Sequence, residues 1–320
     1  MTSILRKFVI AVAALLALPA AAQDYPTKPI RIIAPFGPGT ATDTIARLVA
    51  SELTRLTGQS VVVENKPGAE GQIGAQLVAA APPDGYTIFV TTQTTQAMNQ
   101  HVYKNLAYDP VKSFAPISRL AGAAQIVMVR NDLGPKTIPE LIALARAQPG
   151  KLTFGSGNGS SRGGAELFKI MAKVDLLGVP YKTQPQVVQD LLGGRIDVVF
   201  CDFTTGLPPV RDGRARGIAV TSAQRYPGLE EYPTVAESGV PGYELTPWNA
   251  VYAPAGTPRP IIDKLNRLMR EAVASEAYKQ LMRTTLGVPA AGSPEELAAF
   301  QEAETRKWGE IVRIAGMREP

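Results

Sequence analysis

Short apolar runs alternate along this chain with segments whose apolar positions follow a helical period, from Ile30 almost to the C-terminus. Ile30-Arg-Ile-Ile-Ala34 suits a buried strand. Pro35–Gly39 then interrupts it, because two prolines and two glycines neither extend a ladder nor start a helix interior. From Thr42 onward, Ile45, Leu48, Val49, Leu53 and Leu56 share one helical face. The same reading predicts a strand over Ser60–Glu64, a helix over Gly71–Ala81 and a strand over Tyr86–Thr91. Further along it predicts helix Ile138–Gln148, strand Lys151–Ser156, helix Gly163–Lys173 and strand Leu176–Tyr181. Helix Gln186–Leu192 and strands Ile196–Phe200 and Gly217–Ser222 follow. The ending is helical, with Ile261, Leu265, Leu268 and Met269 on one face and Leu297, Phe300, Trp308 and Ile311 on another. Such alternation predicts an α/β fold with largely parallel sheets, the helices serving as crossovers.

Two places look like passages between lobes. Phe114–Leu120 and Ala123–Arg130 are apolar runs joined through Ala121-Gly122, and Gly217–Ser222 is the second candidate. After the Gly/Pro-punctuated connector Pro233–Gly242, the run Glu244–Pro254 returns the chain to the first lobe. The expected organisation is lobe 1 over 23–121, lobe 2 over 122–222 and lobe 1 again over 223–320, with a ligand cleft between the lobes.

The first residues change the compartment. Arg6 and Lys7, the apolar stretch Phe8–Ala22 and Ala20-Ala21-Ala22 have the form of a cleaved secretory signal over 1–22, too short to span a bilayer. The expected product is an exported, soluble, monomeric periplasmic protein. The net charge of +5 falls by two when Arg6 and Lys7 leave, and the remaining excess is dispersed, which argues against nucleic acid. One cysteine excludes an internal disulfide, and one histidine with one cysteine makes a zinc or iron site improbable. No cofactor and no catalysis are expected.

Candidate chemistry sits in loops between strands and helices. In the first, Gly37 and Gly39 allow close backbone approach, Thr40 and Thr42 add hydroxyls, and Asp43, one residue late for an ideal cap, faces the helix dipole. That loop suits an anion such as a carboxylate. The second is Phe154-Gly-Ser-Gly-Asn-Gly-Ser-Ser-Arg-Gly-Gly164, another nest of N–H groups, with Arg162 as a charged fork or a solvated rim residue. Gly159-Ser-Ser-Arg-Gly163 also matches the serine-hydrolase elbow formally, with Ser161 as nucleophile, but nothing places His101 beside it. Tyr181–Gln186 and Cys201–Thr204 follow strand ends, where open α/β sheets place ligands. Asp202 is there an acceptor or a turn residue, Cys201 a small buried group, and Phe36 and Trp248 either flank an apolar ligand body or belong to the core.

The chain also resembles the Bug-type solute receptors of tripartite tricarboxylate transporters. The resemblance is carried by Tyr25-Pro-Thr-Lys-Pro-Ile30, Ala34-Pro-Phe36, Val62-Val-Glu-Asn65, Ala81-Pro-Pro-Asp-Gly-Tyr-Thr87 and Phe114-Ala-Pro116. Val179-Pro-Tyr-Lys182, Asp190-Leu-Leu-Gly-Gly194, Pro233-Thr-Val-Ala-Glu237 and Ala253-Pro-Ala-Gly-Thr-Pro258 extend it through the mature chain. It implies a two-lobed class II periplasmic-binding-protein fold that holds a small carboxylate without transforming it and delivers it to membrane permease subunits, or reports it to a signalling receptor. The ligand residues it implies are Phe36, Gly39, Thr40, Ala41, Thr42 and Asp43 from the first loop, then Thr91 and Thr92. From the second lobe it implies Asn158, Gly159, Ser160, Ser161 and Arg162, the stretch Tyr181–Gln184 with Thr183 and Gln184, and Asp202. Departures fall in these loops: Gly37 and Thr40 replace a Pro and a Gly, Arg162-Gly163-Gly164 and Thr183-Gln184 are unusual, and Cys201 stands where Asp is common. They imply a more electropositive cleft and a dicarboxylate or aromatic carboxylate as ligand.

Overall fold

The computed structural model describes residues 25–318, so the expected signal sequence at 1–22 lies outside the described residues. The chain opens with β1 (Ile30–Ala34), α1 (Ala41–Thr57), β2 (Val61–Asn65), α2 (Gln72–Ala79) and β3 (Thr87–Thr92). A π-helical turn over Thr94–Met98 leads into the short α3 (Asn99–Val102) and then β4 (Phe114–Gly122). The second lobe follows as β5 (Gln125–Arg130), α4 (Ile138–Ala147), β6 (Thr153–Ser156), α5 (Gly159–Ala172) and β7 (Leu177–Pro180). It continues through α6 (Gln184–Leu192), β8 (Val198–Asp202), α7 (Phe203–Arg211) and β9 (Ala215–Val220). The chain returns with β10 (Trp248–Pro254), α8 (Arg259–Ala274), α9 (Glu276–Thr285), β11 (Val288–Pro289) and α10 (Pro294–Ile314).

Two sheets result, ordered β11-β4-β10-β3-β1-β2 and β7-β6-β8-β5-β9. The chain thus passes from one sheet to the other at Ala123-Ala124, just after the expected junction at Ala121-Gly122, which lies inside β4. The expected boundary at residue 222 separates the lobes less cleanly than the sheets do. Val235, Val240 and Tyr243 still pack into the second sheet's core, and the first sheet is rejoined only at Trp248.

The sheets are mixed rather than largely parallel. β1 pairs in parallel with β2 and β3, and β6 with β7 and β8, but β5 and β10 run antiparallel to their neighbours. The reason is geometric. Strands followed by crossover helices end at the cleft, whereas a strand entering a lobe from the other lobe begins there and must run the opposite way. Gln125 opens β5 opposite Asp202 at the end of β8, and Asn249 in β10 lies opposite Thr92 at the end of β3.

Each sheet is covered on both faces, which explains the continuous apolar runs. Ile30 and Ile32 meet the predicted face of α1, Ile45, Val49 and Leu53, together with Leu265 and Met269 of α8. Ile33 and Phe89 point the other way, toward Trp308 and Ile311 of α10. Full burial of a side chain such as Leu53 contributes roughly 1.5–3 kcal/mol. α1 stops at Gly58, whose φ of 70° a glycine adopts without strain.

Candidate functional site

Four helices start at one place between the lobes. Thr40 caps α1, its hydroxyl accepting from Asp43 N at 3.3 Å. Asn158 caps α5, accepting from Ser161 N at 2.9 Å. Thr183 stands at the cap of α6, which carries a proline in its first turn. Asp202 caps α7, accepting from Thr205 N at 2.9 Å and Thr205 Oγ1 at 3.0 Å. The first N–H groups of a helix have no partner within it, and the macrodipole makes that end positive. Gly157 makes the crowding of α5 on α6 possible, since a Cβ there would stand 2.3 Å from the backbone nitrogen of Gln184.

These helix starts line a cavity of about 50 Å³, a few water volumes. Thr40, Ala41 and Thr42 face it from lobe 1, and Asn158, Ser160, Thr183 and Asp202 from lobe 2. Phe36 and Thr92 complete the first lobe's wall, and Lys182 brings a cation to the mouth on an exposed side chain. A larger hollow of about 580 Å³ runs along the outer edge of β2, but it is lined by the middle of α1 and belongs to one lobe. Burial pushes the Asp202 carboxyl up, against the hydrogen bonds from Thr205 that favour its ionised form.

Several residues expected in the loops serve the scaffold instead. Asp43 receives Gly39 N at 3.0 Å, Asn65 Nδ2 at 2.9 Å and the Arg47 guanidinium. Burial alone would raise its carboxyl, but these donors outweigh it and hold the group below the ordinary range. Thr91 bonds Thr95 at 2.6 Å away from solvent. The helix over Gly163–Lys173 in fact begins at Gly159, so Ser161 lies inside its first turn and is fully buried. Its hydroxyl accepts from Gln184 Nε2 at 3.2 Å, and Gln184 Oε1 accepts from Gly157 N at 3.0 Å. Gln184 therefore ties two helix starts together. Tyr181 donates to Asp190 at 2.7 Å. Arg162, half-buried on α5, does not line the cavity.

The alternatives of nucleophile and aromatic sandwich find other partners here. His101 Nε2 bonds the carbonyl of Thr305 at 2.9 Å in α10, whereas the Ser161 hydroxyl is held by Gln184. Trp248 is buried, with its indole donating to Glu304 at 2.9 Å and its ring against Phe300. Cys201 lies fully buried in β8, and burial pushes its thiol well up.

Sequence reasoning missed Gln125, Pro247 and Asn249, which also line the cavity. Asn249 Oδ1 accepts from Thr42 Oγ1 at 3.0 Å, fixing the first turn of α1. It also missed Gln93, which makes a link between the lobes. Gln93 Oε1 accepts from Trp248 N at 2.9 Å within lobe 1, and its Nε2 donates across the cleft to Ser160 Oγ. Beside it the turn Thr94–Met98 packs on Gly159, where a Cβ would come within 2.3 Å of Met98 Cε.

This fold matches known proteins over nearly their whole length. The family model described as "Tripartite tricarboxylate transporter family receptor" matches residues 45–317. Protein BugT of Bordetella pertussis is 32% identical over 306 residues, covering 95% of this chain and 94% of BugT. The structure described as "R. palustris Rpa4515 with adipate" superposes with a TM-score of 0.88 at 35% identity, covering 91% of this chain and 98% of the other. MatC (Rpa3494) from Rhodopseudomonas palustris, solved with bound malate, gives 0.85 at 28% identity over 90% and 100%. With its two α/β lobes and the cleft between them, the chain belongs to the TctC/Bug family of tripartite tricarboxylate transporter receptors.

Proposed function

We propose that this chain is the periplasmic receptor that closes its lobes on a small carboxylate, a dicarboxylate or an aromatic carboxylate, and presents it to membrane permease subunits. The observation that carries the reading is the convergence of four helix starts from both lobes on one cavity. The N–H groups of Ala41 and Thr42 on one side and of Gly159 and Ser160 on the other would hold the carboxylate oxygens, with the Thr40, Thr92 and Thr183 hydroxyls beside them. Lys182 at the mouth supplies the attraction that Arg162 was expected to give. Two relatives carry adipate and malate, which supports a carboxylate as the class. Nothing in this arrangement asks for a bond to be made or broken.

The test is isothermal titration calorimetry and thermal unfolding with adipate, malate and benzoate, each paired with its neutral amide. Stabilisation by an acid and not by its amide is the expected result. Binding of amides or amines in preference to every acid would overturn the reading. Partnership with permease subunits is tested by reconstituting uptake with membranes that carry them; binding without uptake, joined to a ligand-dependent signal, would favour a sensor.

A further inference from the structure

The first sheet ends in a strand with no neighbour on its outer side. β2 pairs with β1 and closes the sheet order. Ile30 N donates to Ser60 O at 3.0 Å and Lys66 N to Ala34 O at 2.8 Å, so Val62 and Glu64 between them turn their backbone groups toward β1 as well. Val61, Val63 and Asn65 turn theirs outward. Thr54 Oγ1 takes up the Val61 N–H at 3.2 Å. The carbonyls of Val61 and Val63 and the N–H groups of Val63 and Asn65 are left along the edge. Neither a proline nor a shift of register interrupts these five residues. An edge strand without such interruptions is a template for another strand.

The open hollow beside this edge has about 580 Å³, against about 50 Å³ for the ligand cavity. Its other wall is one face of α1, with Arg47, Ala50, Ser51, Thr54 and Arg55 at helical spacing. Ala50 and Ser51 make a low floor, and the arginines stand at the two ends. Eight residues of helix set them about 12 Å apart along the axis. Four residues of extended strand cover about 13 Å. Side chains at i and i+4 of an added strand share one face, so both can meet a guanidinium. Arg47 binds Asp43 and Asn65, and Arg55 binds Glu52, through Nε and Nη2, and both side chains are more than half exposed. A fork of five donors leaves each of them N–H groups for a further carboxylate. Among the described residues that line the hollow, these two are the ionisable groups.

We propose that the β2 edge and the α1 face form a docking groove for an extended acidic segment of a partner protein. The segment adds a strand to the first sheet and sets carboxylates at i and i+4 on the two arginines. This goes beyond carboxylate reception. The groove belongs to the first lobe alone, so the segment would hold the receptor whether its lobes are open or closed. A second copy of the chain is the poorer occupant. Two β2 edges paired about a two-fold axis would bring two α1 faces alongside, Arg47 of one against Arg55 of the other, and like charges there repel.

The experiment is an NMR titration of the isotopically labelled full chain with the blocked heptapeptide Thr-Glu-Val-Ala-Val-Glu-Thr. Beside it run the counterpart with lysine for glutamate and two N-methylated forms, one methylated at its even residues and one at its third and fifth. The acidic peptide should shift the amide resonances of Val63 and Asn65 and slow their exchange with solvent; the lysine peptide should not. One methylated form should lose binding and the other keep it, because a strand turns alternate N–H groups to its neighbour. Added salt should weaken the complex. Arg55→Gln should weaken it about two- to fivefold. Ser51→Glu, which sets a carboxylate on the floor, should weaken it about tenfold or more. Neither residue lines the ligand cavity, so carboxylate affinity should stay unchanged. Equal binding of the lysine peptide, equal behaviour of the two methylated forms, or no binding of the acidic peptide at millimolar concentration overturns the proposal. Protection of Val63 and Asn65 that grows with the concentration of the chain alone also overturns it, by seating a second copy on the edge. The peptide comparisons need no variant to fold and no carboxylate to bind, so their failure leaves the receptor reading untouched.

Discussion

Ser160→Ala tests whether closure of the lobes contributes to affinity. Ser160 Oγ accepts from Gln93 Nε2 across the cleft, and both residues are buried in the closed form. When the lobes part, each group returns to water, so the bond stabilises the closed state alone. Losing it costs about 0.5–1.5 kcal/mol, and leaving the Gln93 amide buried without its acceptor brings the total to roughly 1–3 kcal/mol. Ligand binding is coupled to closure, so the loss should appear as affinity weakened about 5- to 150-fold. Ser160 also lines the cavity, and a single variant would confuse a lost ligand contact with a lost lobe contact. A double-mutant cycle with Gln93→Ala separates them. Gln93→Ala also strips the Trp248 N–H of its acceptor, but that effect is common to both arms and cancels. The assay is calorimetry on the four proteins with the carboxylate selected by the ligand panel, beside thermal unfolding without ligand. A coupling energy of about 1 kcal/mol or more is expected. Strictly additive losses would refute the lobe link.

Three further outcomes follow from the same geometry. Gly159→Ala sets a methyl against buried Met98 and Thr94, an overpacking of about 1–3 kcal/mol that falls on the closed form; affinity should drop and small-angle scattering with ligand should show a wider particle, whereas a compact particle would contradict the seating of α5 on that turn. Asp43→Asn should destabilise the protein by about 2 kcal/mol near neutrality, because the carboxylate accepts from Gly39, Asn65 and Arg47. The folded carboxyl lies below its ordinary 3.8, so this difference is full above 3.8 and disappears as pH falls through the lower folded value, as urea unfolding at several pH values will show. Asp202 has the opposite sign: its folded value is raised, so its contribution is complete below 3.8 and is lost as pH rises through the folded value; Asp202→Asn should be more stable than the parent at neutral pH and bind anions more tightly, and weaker anion binding would contradict the placement of that carboxyl in the cleft.

The first loop and its helix were legible because local rules act there alone. Pro35 and Gly39 break the strand, and the spacing of Ile45, Val49 and Leu53 marks the buried face. Asn158 and Ser160 were legible for the same reason, as a small polar stretch between a strand and a helix. Ser161 and Gln184 were misplaced because helices α5 and α6 begin earlier than their apolar periodicity does. Their first turns are polar since they face the cleft and each other, and a periodicity argument reads such turns as loop. Gln125 and Asn249 escaped for a different reason. The rule that ligands gather after the ends of strands overlooks strands that begin at the cleft, as β5 and β10 do on entering a lobe from its neighbour. A polar residue at the head of an apolar run just past a passage between lobes is the signal that finds them.

The late arrival of β10 in the chain also sets the order in which the molecule can assemble. The second sheet is built from β5 to β9, one unbroken stretch whose last strand ends at Val220. The first sheet has β10 at its middle, between β3 and β4, so Thr92 waits for Asn249, far away in sequence. Contacts so distant are entropically expensive and slow to form. During synthesis or passage across a membrane, the middle of the chain can therefore become a finished unit first. The opening segments stay an open half-sheet with β3 and β4 unpaired along facing edges, a natural hold for a chaperone, until residues 248–254 slide between them and complete the lobe.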